Sequence, residues 1–283
     1  MESELANERR RITSALAAAG IAAAETETRL LLEAAAERPY FELELDPAFR
    51  LTSESRRRLD GWLDRRLRRE PLQYILGHAC FRDLELEVTP AVLIPRPETE
   101  VLVDWALARL GAGGALLDLG TGSGAIALAV AVECPSARVT AVDVSEAALE
   151  VARRNARCCG VEGRVEFLQS DLFAALAPER RFEVICANLP YVTEEEFPDL
   201  EPEVRDHEPR LALVAPDAGL SLMLRAAAEL PRRLAANGAA IFELSPPQAP
   251  VLAARLADFG FRAAIRRDLA GRDRFVTAEA VRS

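Results

Sequence analysis

Two short segments, about seventy residues apart, hold residue types that could do chemistry. The first, Leu117-Asp118-Leu119-Gly120-Thr121-Gly122-Ser123-Gly124, closes an apolar run with alternate glycines. Such glycines let the backbone turn sharply and approach a ligand closely. Asp143 ends the next apolar run about twenty residues later, where a carboxylate can accept both ribose hydroxyl hydrogens of an adenosine. The second segment is Asn188-Leu189-Pro190-Tyr191. An amide or aromatic amine nitrogen is a poor nucleophile because its lone pair is delocalised. Two acceptors can hold its N–H bonds and favour a more pyramidal nitrogen. The Asn188 side-chain oxygen is one; a loop carbonyl is the other, assigned to Leu189, which Pro190 forces into an extended conformation. Tyr191 can pack over the planar group. Orientation and charge placement, rather than a strong base, would carry catalysis there.

The glycine spacing, GxGxG rather than GxGxxG, favours S-adenosylmethionine over a nicotinamide dinucleotide. Asp118 fits an acid beside the methionine end of that cofactor. Asp171-Leu172-Phe173 would lie beside the adenine, with Leu172 packed on the base and Asp171 accepting its amino hydrogens. The expected cofactor set is therefore Gly120, Thr121, Gly122, Ser123, Gly124, Asp143, Asp171, Leu172 and Asn188. Plainer readings compete: Asp143 as a strand-end acid capping the helix at Ser145, Leu172 and Phe173 as core, and residues 188–191 as a simple turn.

The elements that position these residues follow from periodicity. Ser3 to Leu76 reads as helices, with apolar stripes at Ile12-Leu16-Ile21 and Leu30-Leu31-Leu32-Ala35. The arginine-rich stretch from Arg56 to Arg69, after the helix-start residues Thr52 to Ser55, reads as a solvated helix face with Leu59, Trp62 and Leu67 inward; the competing reading is an electrostatic patch for a partner. Phe81, Leu84, Leu86 and Val88 alternate, and Val92-Leu93-Ile94 continues the pattern, so Gly77 to Ile94 reads as a β-hairpin. After Pro97, strands are expected at 115–119, 138–143, 165–168, 182–187, 239–244, 263–267 and 275–278. Helices are expected at 125–132, from Ser145 to about 159, at 220–234 and at 250–259. The alternation implies an open, mostly parallel sheet with helices on both faces and a site at the carboxyl ends of its strands. The domains are then 1–76, a hairpin linker 77–96, and 97–283.

Composition narrows the class. The 283 residues carry a formal net charge of −10, which counts against a nucleic-acid substrate. All basic residues other than histidine are arginine, which reads as genome bias. No apolar run approaches the ~20 residues of a membrane span, and the acidic opening lacks a signal-peptide pattern; a cytoplasmic protein, acting as a monomer, is expected. Five cysteines without a CxxC pair, and two histidines, give no zinc-ligand spacing.

The chain also resembles a family, the protein-(glutamine) methyltransferases of the release-factor type. The resemblance rests on Pro71 to Gly77 (PLQYILG), Leu93 to Glu100 (LIPRPETE), Gly120 to Gly124, Asn188 to Tyr191, Glu203 to Pro209 (EVRDHEP) and Gly271 to Arg274 (GRDR). It implies a small helical N-terminal domain that helps dock the substrate, a β-hairpin linker and a seven-stranded Rossmann-like class I methyltransferase domain. It implies methyl transfer from S-adenosylmethionine to the glutamine amide of the Gly-Gly-Gln loop of class 1 peptide chain release factors, with Asn188, Leu189, Pro190 and Tyr191 holding that glutamine. Two positions depart from the family pattern. Leu189 stands where proline is usual, giving an Asn-Leu-Pro-Tyr run also similar to that of ribosomal-RNA adenine dimethyltransferases, and Ser245 stands where glycine is preferred. An adenine amino-methyltransferase on RNA or DNA is thus the alternative.

Overall fold

The computed structural model describes residues 3–111 and 113–280. They form two compact units: residues 3–77 with Pro202–His207, and His78–Glu201 with residues 208–280. The first unit contains α1 (Glu4–Ala18), α2 (Ala24–Ala36), α3 (Tyr40–Leu45), α4 (Ser53–Leu67) and α5 (Leu72–Leu76). Ile12 and Leu16, Leu31 and Leu32, and Leu59 and Leu63 supply its core from three helices. Helical spacing accounts for that choice, because residues three and four apart share a face: Ile12 with Leu16, Leu59 with Leu63, and Leu31 and Leu32 each with Thr28 and Ala35. Leu30, included in the sequence stripe, turns outward at 41% exposure.

The arginine-rich helix buries Leu59 and packs Trp62 and Leu67 partly against the core. Arg66 departs from the solvated reading. It is buried, and it pairs with Glu27 at 2.6 Å and Glu203 at 2.9 Å. Arg56, Arg58, Arg65 and Arg69 also meet carboxylates of this unit. Much of the run's charge is therefore compensated locally, which removes the argument for a free cationic patch.

The second unit opens with the antiparallel hairpin β1 (His78–Phe81) and β2 (Leu84–Glu87). Phe81, Leu86 and Val88 point into the core, while Glu85 and Glu87 do not. The expected continuation over Val92-Leu93-Ile94 is not a strand. Pro90, Pro95 and Pro97 offer no N–H for a ladder, the Val92 N–H closes a turn on the Thr89 carbonyl, and the Ile94 N–H turns to Glu208.

Then follow α6 (Glu100–Leu110), β3 (Ala115–Leu119), α7 (Ala125–Glu133), β4 (Arg138–Asp143), α8 (Glu146–Cys158), β5 (Val165–Gln169) and β6 (Phe182–Ala187). After these come α9 (Pro202–His207, counted with the first unit), α10 (Arg210–Leu213), α11 (Ser221–Arg233), β7 (Leu234–Glu243), α12 (Ala249–Asp258), β8 (Phe261–Arg267) and β9 (Asp273–Ala280). The seven-stranded sheet has the order β5-β4-β3-β6-β7-β9-β8, parallel except for β9, which runs against both neighbours. The apolar runs of β3 and β6 suit central strands covered on both faces. Helix α7 is buried along Ala125–Ala131, as its apolar composition requires.

The order of strands positions the site. The chain leaves β3 toward β4 and β5, then returns to β6 on the other side of β3. The crevice at this reversal lies beyond the carboxyl ends of β3 and β6, where open α/β sheets bind ligands. The glycine loop follows β3 and Asn188 follows β6, so both border that crevice. Among the described residues no helix is long and apolar enough to cross a membrane.

Candidate active site

A cavity of about 470 Å³ opens at this reversal. Gly120, Thr121, Gly122, Ser123, Asp143, Asp171, Leu172, Asn188, Leu189 and Pro190 all line it. Gly124 and Tyr191 do not. Gly124 instead caps α7 with φ +88°, and a Cβ there would come within 3.0 Å of Leu128 Cδ1. Its role is to let the helix pack close behind the loop. Tyr191 lies outside the wall: Arg274 Nη2 donates to its hydroxyl at 2.9 Å and the guanidinium lies over its ring.

Asp143 binds on both carboxylate oxygens. Oδ2 accepts from the Gly122 N–H and Oδ1 from the Ser145 N–H, each at 2.9 Å. The strand-end reading and the ligand reading therefore coexist. Each oxygen keeps a further lone pair, enough for two ribose hydroxyls. Burial raises the Asp143 carboxyl, while N–H groups of Ser145, Gly122 and Val144 pull it back.

Asp118 does not line the cavity. It is buried behind the loop, where its Oδ2 accepts from Thr121 Oγ1 at 2.6 Å and from the Ala127 N–H at 3.3 Å. Burial pushes its carboxyl up to about 7. The residue expected beside the methionine end is here a brace for the loop. Asn155, buried in α8, is a second brace: its amide donates to the Ser123 carbonyl at 2.9 Å and bonds both the N–H and the carbonyl of Glu87. Nothing in the sequence near Asn155 marks it, because its partners come from two separate segments, β2 and the glycine loop.

On the far wall Leu172 holds φ +51°, a left-handed conformation that costs roughly 1–2 kcal/mol outside glycine. Ser170 compensates: its hydroxyl donates to the Leu172 carbonyl at 2.8 Å and accepts from the Ala175 N–H at 3.0 Å. Strain of this kind gathers at ligand-binding walls, and here it shapes an apolar slot. The Asp171 carboxylate pairs with Arg225 at 2.7 Å, both half exposed.

At the opposite end, Asn188 Nδ2 donates to Thr99 Oγ1 at 3.0 Å, and Thr99 Oγ1 donates to Glu243 Oε2 at 2.8 Å. The Asn188 oxygen is thereby left for the cavity. No hydrogen bond among the described residues uses the Leu189 carbonyl. The Leu189 side chain is buried against the glycine loop, so the residue that replaces the usual proline serves as core. Gln248 fastens the loop's far end, donating to the Tyr191 carbonyl at 2.7 Å and to the Ala218 carbonyl at 2.9 Å. Arg96 joins the wall and pairs with buried Glu208, whose carboxyl is raised by burial and lowered by that arginine. Sequence reasoning assigned no role to Thr99, Glu243, Gln248 or Arg274; Thr99 and Arg274 lie within runs that carry the family resemblance, and Glu243 and Gln248 flank Ser245, a position that departs from it.

The residues present suit an adenosine-containing cofactor: a carboxylate for the ribose, a glycine loop permitting close approach, and an apolar slot at Leu172. A family model described as the methyltransferase small domain matches residues 97–201, and one described as the PrmC N-terminal domain matches residues 9–77. A release factor glutamine methyltransferase of Deinococcus radiodurans is 39% identical over 272 residues, covering 94% of this chain and 95% of that protein. One of Caulobacter vibrioides is 40% identical over 266 residues, covering 91% and 90%. One of Gloeobacter violaceus is 45% identical over 214 residues, covering 74% of each. Among solved structures, a methyltransferase from Pyrococcus furiosus matches with a TM-score of 0.54 at 19% identity, covering 71% of this chain and 91% of that one. At that identity the likeness is one of fold.

Proposed function

The chain belongs to the release factor glutamine methyltransferases, and from that premise we infer how its own residues carry out the reaction. It is an S-adenosylmethionine-dependent methyltransferase whose acceptor is the side-chain amide of the glutamine in the Gly-Gly-Gln motif of class 1 release factors. The observation that carries the residue-level reading is the orientation of Asn188. Its NH2 is engaged by Thr99, so the group it offers the cavity is an oxygen, which suits a substrate that presents N–H.

When bound, S-adenosylmethionine supplies a methyl group on positively charged sulfur. Asp143 holds the ribose, Gly120 to Ser123 allow close approach, and Leu172 packs on the base. Asp171 lies at the adenine end, already neutralised in part by Arg225. The Asn188 oxygen and the Leu189 carbonyl accept the two N–H bonds of the glutamine amide and draw its lone pair out of conjugation. Pro190 keeps Leu189 extended. Tyr191, fixed by Arg274, anchors the end of the loop. Preorganised dipoles of this kind act without reorganising during the reaction.

The helical first unit serves to dock the release factor. A monomer is the proposed form of the enzyme, and its molar mass in solution tests this. A protein substrate of translation supports a cytoplasmic location. The net charge of −10 and the names of the relatives favour glutamine over adenine as acceptor. The test is methyl transfer from labelled S-adenosylmethionine to a purified release factor, to a copy whose Gly-Gly-Gln glutamine is replaced, and to naked RNA. Label on the intact factor alone is expected; label on RNA instead would overturn the reading.

A further inference from the structure

Glu243 ends β7, is buried, and receives the Thr99 hydroxyl proton at 2.8 Å. Thr99 is itself buried, in the turn before α6. A threonine hydroxyl has one proton to give and lone pairs to receive with. Once that proton points at a carboxylate, which can only accept, the oxygen facing Asn188 can only accept as well. The NH2 end of Asn188 satisfies this arrangement and its oxygen end does not. The amide is therefore locked in one of its two orientations by a charge that does not touch the cavity.

We propose that Thr99 and Glu243 are positioning residues, a proton-ordered relay that keeps the Asn188 oxygen turned toward the acceptor. The proposal rests on the assignment of Asn188 as the N–H acceptor, and it adds the reason that assignment holds. The relay depends on an ionised Glu243. A protonated Glu243 could donate to Thr99, Thr99 could then donate to the Asn188 oxygen, and the cavity would face an NH2 group that repels the substrate's own N–H. The groups bearing on Glu243 are Thr99, Arg274 of β9 at 4.0 Å, Arg96 and Glu98 beside the turn, and the Tyr191 hydroxyl. Burial raises the Glu243 carboxyl, opposed by Thr99 and Arg274.

The test has two arms. In the first, nitrogen-15 spectra follow the Asn188 side-chain amide, assigned with Asn188→Asp, in the wild type, Thr99→Val, Thr99→Ser and Glu243→Gln. The relay predicts a separated pair of NH2 proton signals that shifts in Thr99→Val and Glu243→Gln, is retained in Thr99→Ser, and moves on acidification. In the second, kcat, KM for the release factor and the dissociation constant for S-adenosylhomocysteine are measured. Thr99→Val should lose at least tenfold in kcat with cofactor-product affinity within twofold. Thr99→Ser should stay within threefold of wild type, and Glu243→Gln should lose the acidic limb of the pH profile. An amide signal indifferent to Thr99→Val, or equal damage from Thr99→Ser and Thr99→Val, overturns the relay. An amide signal that responds as stated, in a protein that does not label the release factor, upholds the relay and overturns the functional reading instead.

Discussion

Gly219 presses on the carbonyl of Tyr191: a Cβ at Gly219 would fall 2.0 Å from that oxygen and 2.4 Å from Gln248 Nε2, and the residue holds φ +74°. No flexible side-chain end can yield there, because the nearest atom is backbone. Gly219→Ala should therefore destabilise by at least about 2 kcal/mol, from the left-handed conformation and the clash together. It should also displace the end of the acceptor loop. Urea unfolding and methyl-transfer rate measure the two effects; a wild-type midpoint would show that the turn can move freely.

Asn188→Ala should leave cofactor affinity nearly unchanged and lower turnover by on the order of 10²-fold, the scale of removing one preorganised hydrogen-bonding group at a reacting centre. Single-turnover rates with saturating cofactor separate the two quantities. Unchanged turnover would remove Asn188 from the mechanism.

Asp143→Asn should act in the opposite sense. One carboxylate oxygen becomes an NH2 that cannot accept from the Gly122 or Ser145 N–H or from a ribose hydroxyl. Loss of hydrogen bonds to a charged group costs about 1.5–3 kcal/mol each, so cofactor affinity should fall at least tenfold. Turnover at saturation should change less. Calorimetry with S-adenosylhomocysteine measures the first and steady-state kinetics the second.

Asp118 makes the stability of the cofactor-free protein depend on pH. Its folded pKa of about 7 lies above the ordinary 3.8. Between those values the folded chain holds a proton that the unfolded chain has lost, so stability falls as pH rises through that window. The slope approaches roughly 1.4 kcal/mol per unit for one group. Asp118→Asn should flatten this slope and leave the variant more stable than wild type at pH 8, as read from urea midpoints at pH 5 and pH 8. An unchanged slope would mean another group titrates there.

The glycine loop, Asp143 and Asn188 were legible because their arrangement is local. A strand, a turn and a helix N-terminus are specified within a few tens of residues, and the spacing to the next strand end survives folding. The residues that hold them in place were not legible in this way. Thr99 and Glu243 are 144 positions apart, Asp171 and Arg225 are 54 apart, and Asn155 ties together segments with no common pattern. The hairpin was overextended through Val92-Leu93-Ile94 because alternation cannot reveal that prolines have removed the ladder's donors. The arginine run was read as solvent-facing because periodicity does not distinguish an exposed arginine from Arg66, buried between two carboxylates.

The sequence by itself determined the class of fold and put the glycine loop and Asn188 at strand ends, since these follow from apolar period and glycine spacing. The tertiary structure alone decided the strand order that sets the loops after β3 and β6 beside one crevice. It also placed Asp118 behind the glycine loop, and it turned the Asn188 NH2 group to Thr99. The physical reason is the same throughout: a side chain's role depends on its hydrogen-bond partners, and those partners are chosen by sheet crossovers between segments far apart in the chain.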